Sequence, residues 1–360
     1  MLARSSKIKH PLGGLIDLPR LVPAFSSKGF PFLKNDKNKT RKLKSNSASS
    51  KKNSNREISE VTLALETIGD FIKDSILVSA YDIFHSHLRK PEKFFKNKEI
   101  IFIDSGGYEL GPDFDPTEPI HLFTPRKKFT LANYAEVLQE LSGELPFAVA
   151  NFDYGTKQRP LLEQITAGQK LFAKFPTFLT DFIIKPVGDQ RYLDVDEIIR
   201  HVKKFRAFHI LGIAEKDLGK DLIEKLKFVA KLRLAMDRED VSMPIHLWGG
   251  LDPIFTPLYF FAGAEIFDGI SWLRYAYIDG VATYRDCYNV ISEGIETSTD
   301  HMRALSLSHN LTFLRSQSTN FREFVIHGAK RFDMFGSRAA ALEKAYRTMV
   351  TEISGIEGGS

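Results

Sequence analysis

Residues 100–110 read IIFIDSGGYEL: an apolar, β-favouring run that delivers Asp104, followed by Ser105, the pair Gly106 and Gly107, and then Tyr108. So continuous an apolar run suits a strand buried on both faces, and two successive glycines suit a tight turn beyond it. The pattern recurs along the chain. FAVANFDYG carries Asp153 past its apolar run, FHILGIAEKD reaches Glu215, IHLWGG closes on Trp248, Gly249 and Gly250, and EIFDGIS holds Asp268. Acids and glycines therefore gather at the C-terminal ends of strands, the face on which parallel α/β folds bind ligands.

Seven strands are predicted, at 76–81, 100–104, 147–153, 182–187, 208–214, 245–248 and 266–270, each rich in Val, Ile and Phe. Amphipathic stretches at 131–141, 194–204, 218–233 and 257–262 lie between them. Strand alternating with helix predicts a parallel sheet with helical crossovers. With one more strand near 275–285 the pattern fills an eight-stranded (β/α)8 TIM barrel, while a doubly wound open sheet meets the same alternation. Residues 290–352 are predicted mostly helical.

At 360 residues and 43% hydrophobic content, the chain can form one large α/β domain with additions or two smaller ones. No apolar run approaches the ~18 residues of a membrane span. The basic opening MLARSSKIKH is followed by no apolar secretory stretch, so the expected location is the cytoplasm. A single cysteine, Cys287, permits neither an intrachain disulfide nor a multi-thiolate metal site.

The net charge of +5 is concentrated rather than spread. Between residues 35 and 57 eight Lys or Arg face two acids, a local balance of +6 that leaves −1 on the rest. Rich in Ser, Asn and Lys, this segment is expected to be a flexible insertion. Lys37, Lys39, Arg41, Lys42 and Lys44 are its candidates for nucleic-acid phosphate contacts, against the plainer alternatives of a solvated insertion or a localisation signal.

Each strand-end acid also has a plain explanation as the N-cap of the next helix. Three on one face favour a site, in which Tyr108 and Trp248 offer aromatic surfaces. DSGGYE, the FD of VANFDYG, LGIAEKD, HLWGG and IFDGISWLR resemble, in the same order, the barrel motifs of tRNA-guanine transglycosylases. LPRLVPAFSSKGFP resembles that family's opening hairpin, ETIGDFIKDSILVSAYDI its first helix and strand, and SLSHNLTFL a late helix, so the resemblance spans about residues 13–315.

The resemblance implies base exchange at a nucleoside C1′, with Asp268 as the nucleophile and Asp104 as general acid and base. It implies that Asp153 accepts hydrogen bonds from the purine edge, that Tyr108 and Trp248 sandwich the ring, and that Ser105, Gly106, Gly107, Gly249 and the backbone at Leu211 and Gly212 line the base pocket. Arg274 would hold phosphate, and the target nucleotide must leave its stack.

The departures narrow the expectation. The family's zinc site uses three close cysteines and a histidine; here His309 occupies the matching SHN context and Cys287 is the only thiol, so no zinc, no zinc subdomain and no other cofactor are expected. FIIKPVGD stands where the family has Gly-Ile-x-Gln-Gly, and Ser79 replaces an asparagine beside the acids. With the basic insertion, these features resemble the divergent branch that replaces guanine in DNA with a 7-deazaguanine derivative. The expected partners are DNA and the free 7-deazaguanine base, in a bacterial or phage-infected cytoplasm, with accessory DNA-modification proteins and a homodimer as further options.

The same exchange on tRNA is the alternative. A catalytically silent binding subunit is a second, opposed by retention of Asp104, Asp153 and Asp268. A mononuclear metal hydrolase built from His246, Asp104 and Asp153 is a third, unsupported by any HxH or HExxH spacing. The expected organisation is a hairpin region over 1–34 packed on the barrel, the insertion over 35–57, a barrel domain with C-terminal helices over 58–352, and a tail over 353–360.

Overall fold

The computed structural model describes residues 2–33, 57–111, 127–141, 143–154 and 159–357. All of the basic insertion except Glu57 lies outside the described residues, and with it Lys37, Lys39, Arg41, Lys42 and Lys44.

Eight parallel strands close in chain order: β1 (Arg20–Phe25), β2 (Ser75–Ser79), β3 (Ile100–Asp104), β4 (Phe147–Ala150), β5 (Leu179–Ile184), β6 (Ile210–Ala214), β7 (Ile245–Trp248) and β8 (Ile266–Gly269), which pairs back on β1. This is the (β/α)8 barrel, not the open sheet. The seven strands expected from sequence are present, although β4 and β5 end earlier than expected and their last residues become loop. The eighth is not near 275–285. Those residues form an antiparallel hairpin, Tyr275–Ile278 with Val281–Tyr284, outside the barrel. The eighth strand is β1, which the sequence reading assigned to the opening hairpin. Its Pro23 disguises it, because proline is rare inside a central strand.

The true N-terminal hairpin is shorter, Ser6–Lys9 against Leu15–Leu18. Its Ile8, Ile16 and Leu18 pack with the inward side chains Val22, Leu77, Ile100, Phe102, Ala148, Leu179, Ile210 and Ile266, forming the floor of the barrel. The intervening residues of each strand, such as Ile101, Ile103, Phe182, Leu211 and Phe267, join the outer core beneath the helices. This period of two follows from strand geometry and decides which side chains can reach a central site. At the same end, buried Arg233 binds Glu265 at 2.8 Å and donates to the carbonyls of Gly263 and Met243, tying β7 and β8 to the helix Leu222–Arg238.

Local sequence starts the helices. Thr130 forms a capping box with Asn133 before Leu131–Glu140, Asp194 caps Val195–Arg200, Asp221 caps Leu222–Arg238, and Ser298 caps Thr299–Ile326. No described helix is long and apolar enough to cross a membrane.

Candidate active site

The inward positions at the C-terminal ends of the strands carry the polar chemistry. Asp104 closes β3 directly across from Ser79 of β2, and Asp268 lies across from Val22 of β1. Asp104 accepts a 3.2 Å hydrogen bond from the Gly106 N–H. Burial, aided by Glu109, Asp153 and Asp268, holds its pKa well above the usual carboxylate range. Its protonated form is thus favoured relative to an exposed aspartate.

Asp268 is held differently. Its Oδ1 accepts from the Gly249 N–H at 3.0 Å and lies 3.2 Å from His246 Nε2. His246, inward on β7, has its Nδ1 2.5 Å from Asp181 Oδ2 on β5. The imidazole and the Asp181 carboxylate are fully buried. Burial opposes a charge on His246, but Asp181 and then Asp268 raise its pKa to about 9. Burial raises that of Asp181 against the pull of His246 and the Trp248 indole. Gly212 of β6 makes room for this arrangement, since a Cβ there would stand 2.6 Å from Asp181 Oδ1 and 2.7 Å from Trp248 Nε1. The Trp248 ring lies 4.5 Å from the imidazole at 33°.

Asp153 follows β4. It accepts a short hydrogen bond from Ser105 Oγ and pairs with Lys185 at 2.9 Å; Lys185 also faces Asp217 at 3.8 Å. Burial would raise the pKa of Asp153, but the Lys185 charge and these hydrogen bonds bring it below the ordinary value. A Cβ on Gly107 would meet Asp153 Oδ1 at 2.5 Å, and one on Gly106 would meet Tyr81 and Phe129. The space beside this glycine pair is therefore occupied by the protein's own side chains. Gly249 differs, with φ +76° and no atom of the described residues within 4 Å of a Cβ.

Behind Asp104, Glu109 is buried between two hydroxyls, accepting from Ser26 and from Ser79 at 2.8 Å. Burial and Asp82 raise its pKa to about 7. Asp82 in turn accepts from the Ser27 backbone and hydroxyl. Ser79, which stands where the resemblance has an asparagine, joins Glu109 to strand β2.

Tyr108 is clasped at the rim. Lys28 Nζ donates to its carbonyl at 2.9 Å and lies 4.6 Å from its ring, and Arg274 donates to its hydroxyl at 3.2 Å. Arg274 also stacks over Phe30. Not every expected residue joins the mouth. Leu211, expected to contribute its backbone, has its side chain in the outer core, and Gly212 is its inward neighbour. Glu215 turns away to Lys225 at 2.8 Å and the Tyr259 hydroxyl at 2.5 Å, bracing two helices. His309 places Nε2 2.9 Å from the Tyr277 carbonyl, while Cys287 is exposed. The adjacent Asn310 bonds Trp272, Tyr275 and Tyr277 backbone, so the SHN segment fastens the 275–284 hairpin.

Sequence reasoning missed Asp181, Glu109 and Lys185. A signal existed for Asp181: an acid within the apolar run FLTDFII, at even spacing from Ile183 and so on the inward face. Among the described residues, no group of three or more His, Cys, Asp or Glu side chains is arranged to hold a metal ion. Comparison with known protein families and with curated proteins finds no match.

Proposed function

We propose that the protein exchanges a purine base at a nucleoside C1′, acting on DNA and inserting a 7-deazaguanine derivative. The observation that carries this reading is the meeting, at one barrel mouth, of a buried carboxyl group whose proton affinity is raised, Asp104, with a second, Asp268, fixed through a single oxygen. Glycosidic exchange by retention needs those two roles and no others.

Asp268 attacks C1′ as the bond to the leaving base breaks; the bonding pair goes to the base nitrogen, which takes the Asp104 proton. The incoming base returns a proton to Asp104, attacks C1′ and releases Asp268. The ordered resemblance of the strand-end motifs to transglycosylases supports the substrate class, and the basic run in 35–57 supports a polyanionic partner. Arg274 and Lys28 add positive charge at the rim.

The test is release of labelled guanine from matched duplex DNA and unmodified tRNA, each with a 7-deazaguanine precursor. Release from DNA that disappears in Asp268→Asn is the expected result. Release from tRNA alone moves the substrate to RNA, and silence on both overturns the exchange reading in favour of a binding subunit.

A further inference from the structure

Two buried residues outside that two-carboxylate scheme, Asp181 and His246, lie directly behind Asp268. We propose that they are positioning residues: Asp181 holds His246 as an imidazolium whose Nε2–H engages Asp268 Oδ1, leaving Oδ2 as the oxygen that meets C1′. The catalytic half of this inference rests on the base-exchange reading; the charge and orientation of the pair do not.

The two oxygens of Asp268 are not equivalent. Oδ1 is approached by both the Gly249 N–H at 3.0 Å and His246 Nε2 at 3.2 Å, whereas Oδ2 takes part in no hydrogen bond among the described residues. A histidine that only fills a core donates from one nitrogen, usually to a carbonyl. Here both ring nitrogens face carboxylates, one on β5 and one on β8. The ring is packed between aromatic neighbours, with the Phe102 centroid 5.3 Å away and that of Trp248 4.5 Å away. Gly212 vacates the volume that the Asp181 carboxylate occupies. An uncompensated carboxylate buried as Asp181 is would cost several kcal/mol, and the imidazole at 2.5 Å is the group placed to compensate it by carrying or sharing a proton.

A fixed cation at Oδ1 has a directional effect on the reaction. In the intermediate, Oδ2 is esterified to C1′ and Oδ1 is the carbonyl oxygen, still facing Nε2–H. When the second base displaces the ester, the C1′–Oδ2 pair returns to Asp268, and the imidazolium stabilises the carboxylate that reforms. Without that charge the Asp268 carboxylate that reforms is less stabilised, so the ester is displaced more slowly. The covalent complex then accumulates while turnover falls.

Two measurements test this. Nitrogen-15 NMR of the histidines in the full chain should show His246 protonated at pH 7. It should lose its proton near pH 9 in the wild type, and at least one pH unit lower in Asp181→Asn. The groups facing it are Asp181 from β5 and Asp268 from β8, with Asp104 of β3 acting on Asp268. Denaturing gels with DNA should show His246→Gln raising the steady-state covalent fraction and lowering turnover, each by on the order of tenfold. A neutral His246 at pH 7, or an unshifted titration in the isosteric Asp181→Asn, overturns the proposal, as does a folded His246→Gln with unchanged covalent fraction and turnover. If the wild type forms no covalent complex on DNA or tRNA, base exchange falls, while the histidine titration still decides the state of the pair.

Discussion

The Lys185 ammonium lies 2.9 Å from Asp153 Oδ2, so the carboxylate that the resemblance assigns to the purine edge is already neutralised from within the protein. Both groups are largely buried, and breaking such a pair costs about 3–5 kcal/mol because one charge stays behind. Lys185→Met should lower stability at pH 7 by about that amount in denaturant titration. Because the folded pKa of Asp153 is lowered, the contribution of the pair is present above the ordinary aspartate range and is lost as pH falls through the folded value. Equal stability of wild type and variant at pH 7 refutes the ion pair.

Gly212→Ala places a methyl group where Asp181 and Trp248 now approach β6. Overpacking of this kind costs about 1–3 kcal/mol. The sharper expectation is functional: the Asp181 carboxylate is displaced and His246 loses its raised proton affinity. Thermal unfolding together with the His246 titration checks both, and an unshifted titration contradicts the packing account.

The His246 pair also makes stability depend on pH. Its folded pKa is raised to about 9, so its contribution is fully present below the ordinary imidazole value and is lost as pH rises through about 9. Asp181→Asn should therefore cost more stability at pH 6 than at pH 10. Unfolding free energies at the two pH values decide it, and a pH-independent difference points to packing alone.

Glu109 moves stability in the same direction, at lower pH and for a different reason, because here it is burial of an acid that raises the folded pKa. An acid raised from 4.5 to about 7 weakens the folded state as pH climbs between those values. Glu109→Gln, flanked by hydroxyls that can either donate or accept, should gain stability relative to wild type at pH 8 by up to about 3 kcal/mol and much less at pH 5. Melting curves at both pH values are the check.

Replacing Lys37, Lys39, Arg41, Lys42 and Lys44 with alanine should weaken duplex DNA binding and flatten its dependence on salt. If each contacts a phosphate, the slope of log affinity against log salt falls by about 4 to 5. Unchanged affinity and slope reduce the segment to a tolerated insertion.

How much of this was legible depends on which face of a strand a residue occupies. Asp104, Asp153 and Asp268 could be found because each ends or follows an apolar run, where a carboxylate stands out. Asp181 could not be found that way, since it lies inside its strand and acquires meaning only from His246, 65 residues away. Lys185 stands in FIIKPVGD where the resemblance has a Gly-Ile-x-Gln-Gly segment, and a sequence does not show that its ammonium reaches Asp153. Strand β1 was hidden by Pro23, whose register partner is Gly269 of β8. The 275–285 segment has the composition of a strand, yet it belongs to a hairpin held by Asn310. Composition reports a strand's existence but not the sheet it joins.

The N-terminal hairpin fills the barrel's lower end with Ile8, Ile16 and Leu18. Under the proposed exchange this stopper makes the reaction chamber a cul-de-sac. A departing purine and its successor share one doorway, so the first must clear the chamber before the second can be seated. The kinetics should then be ping-pong, with free guanine competing directly against the incoming base.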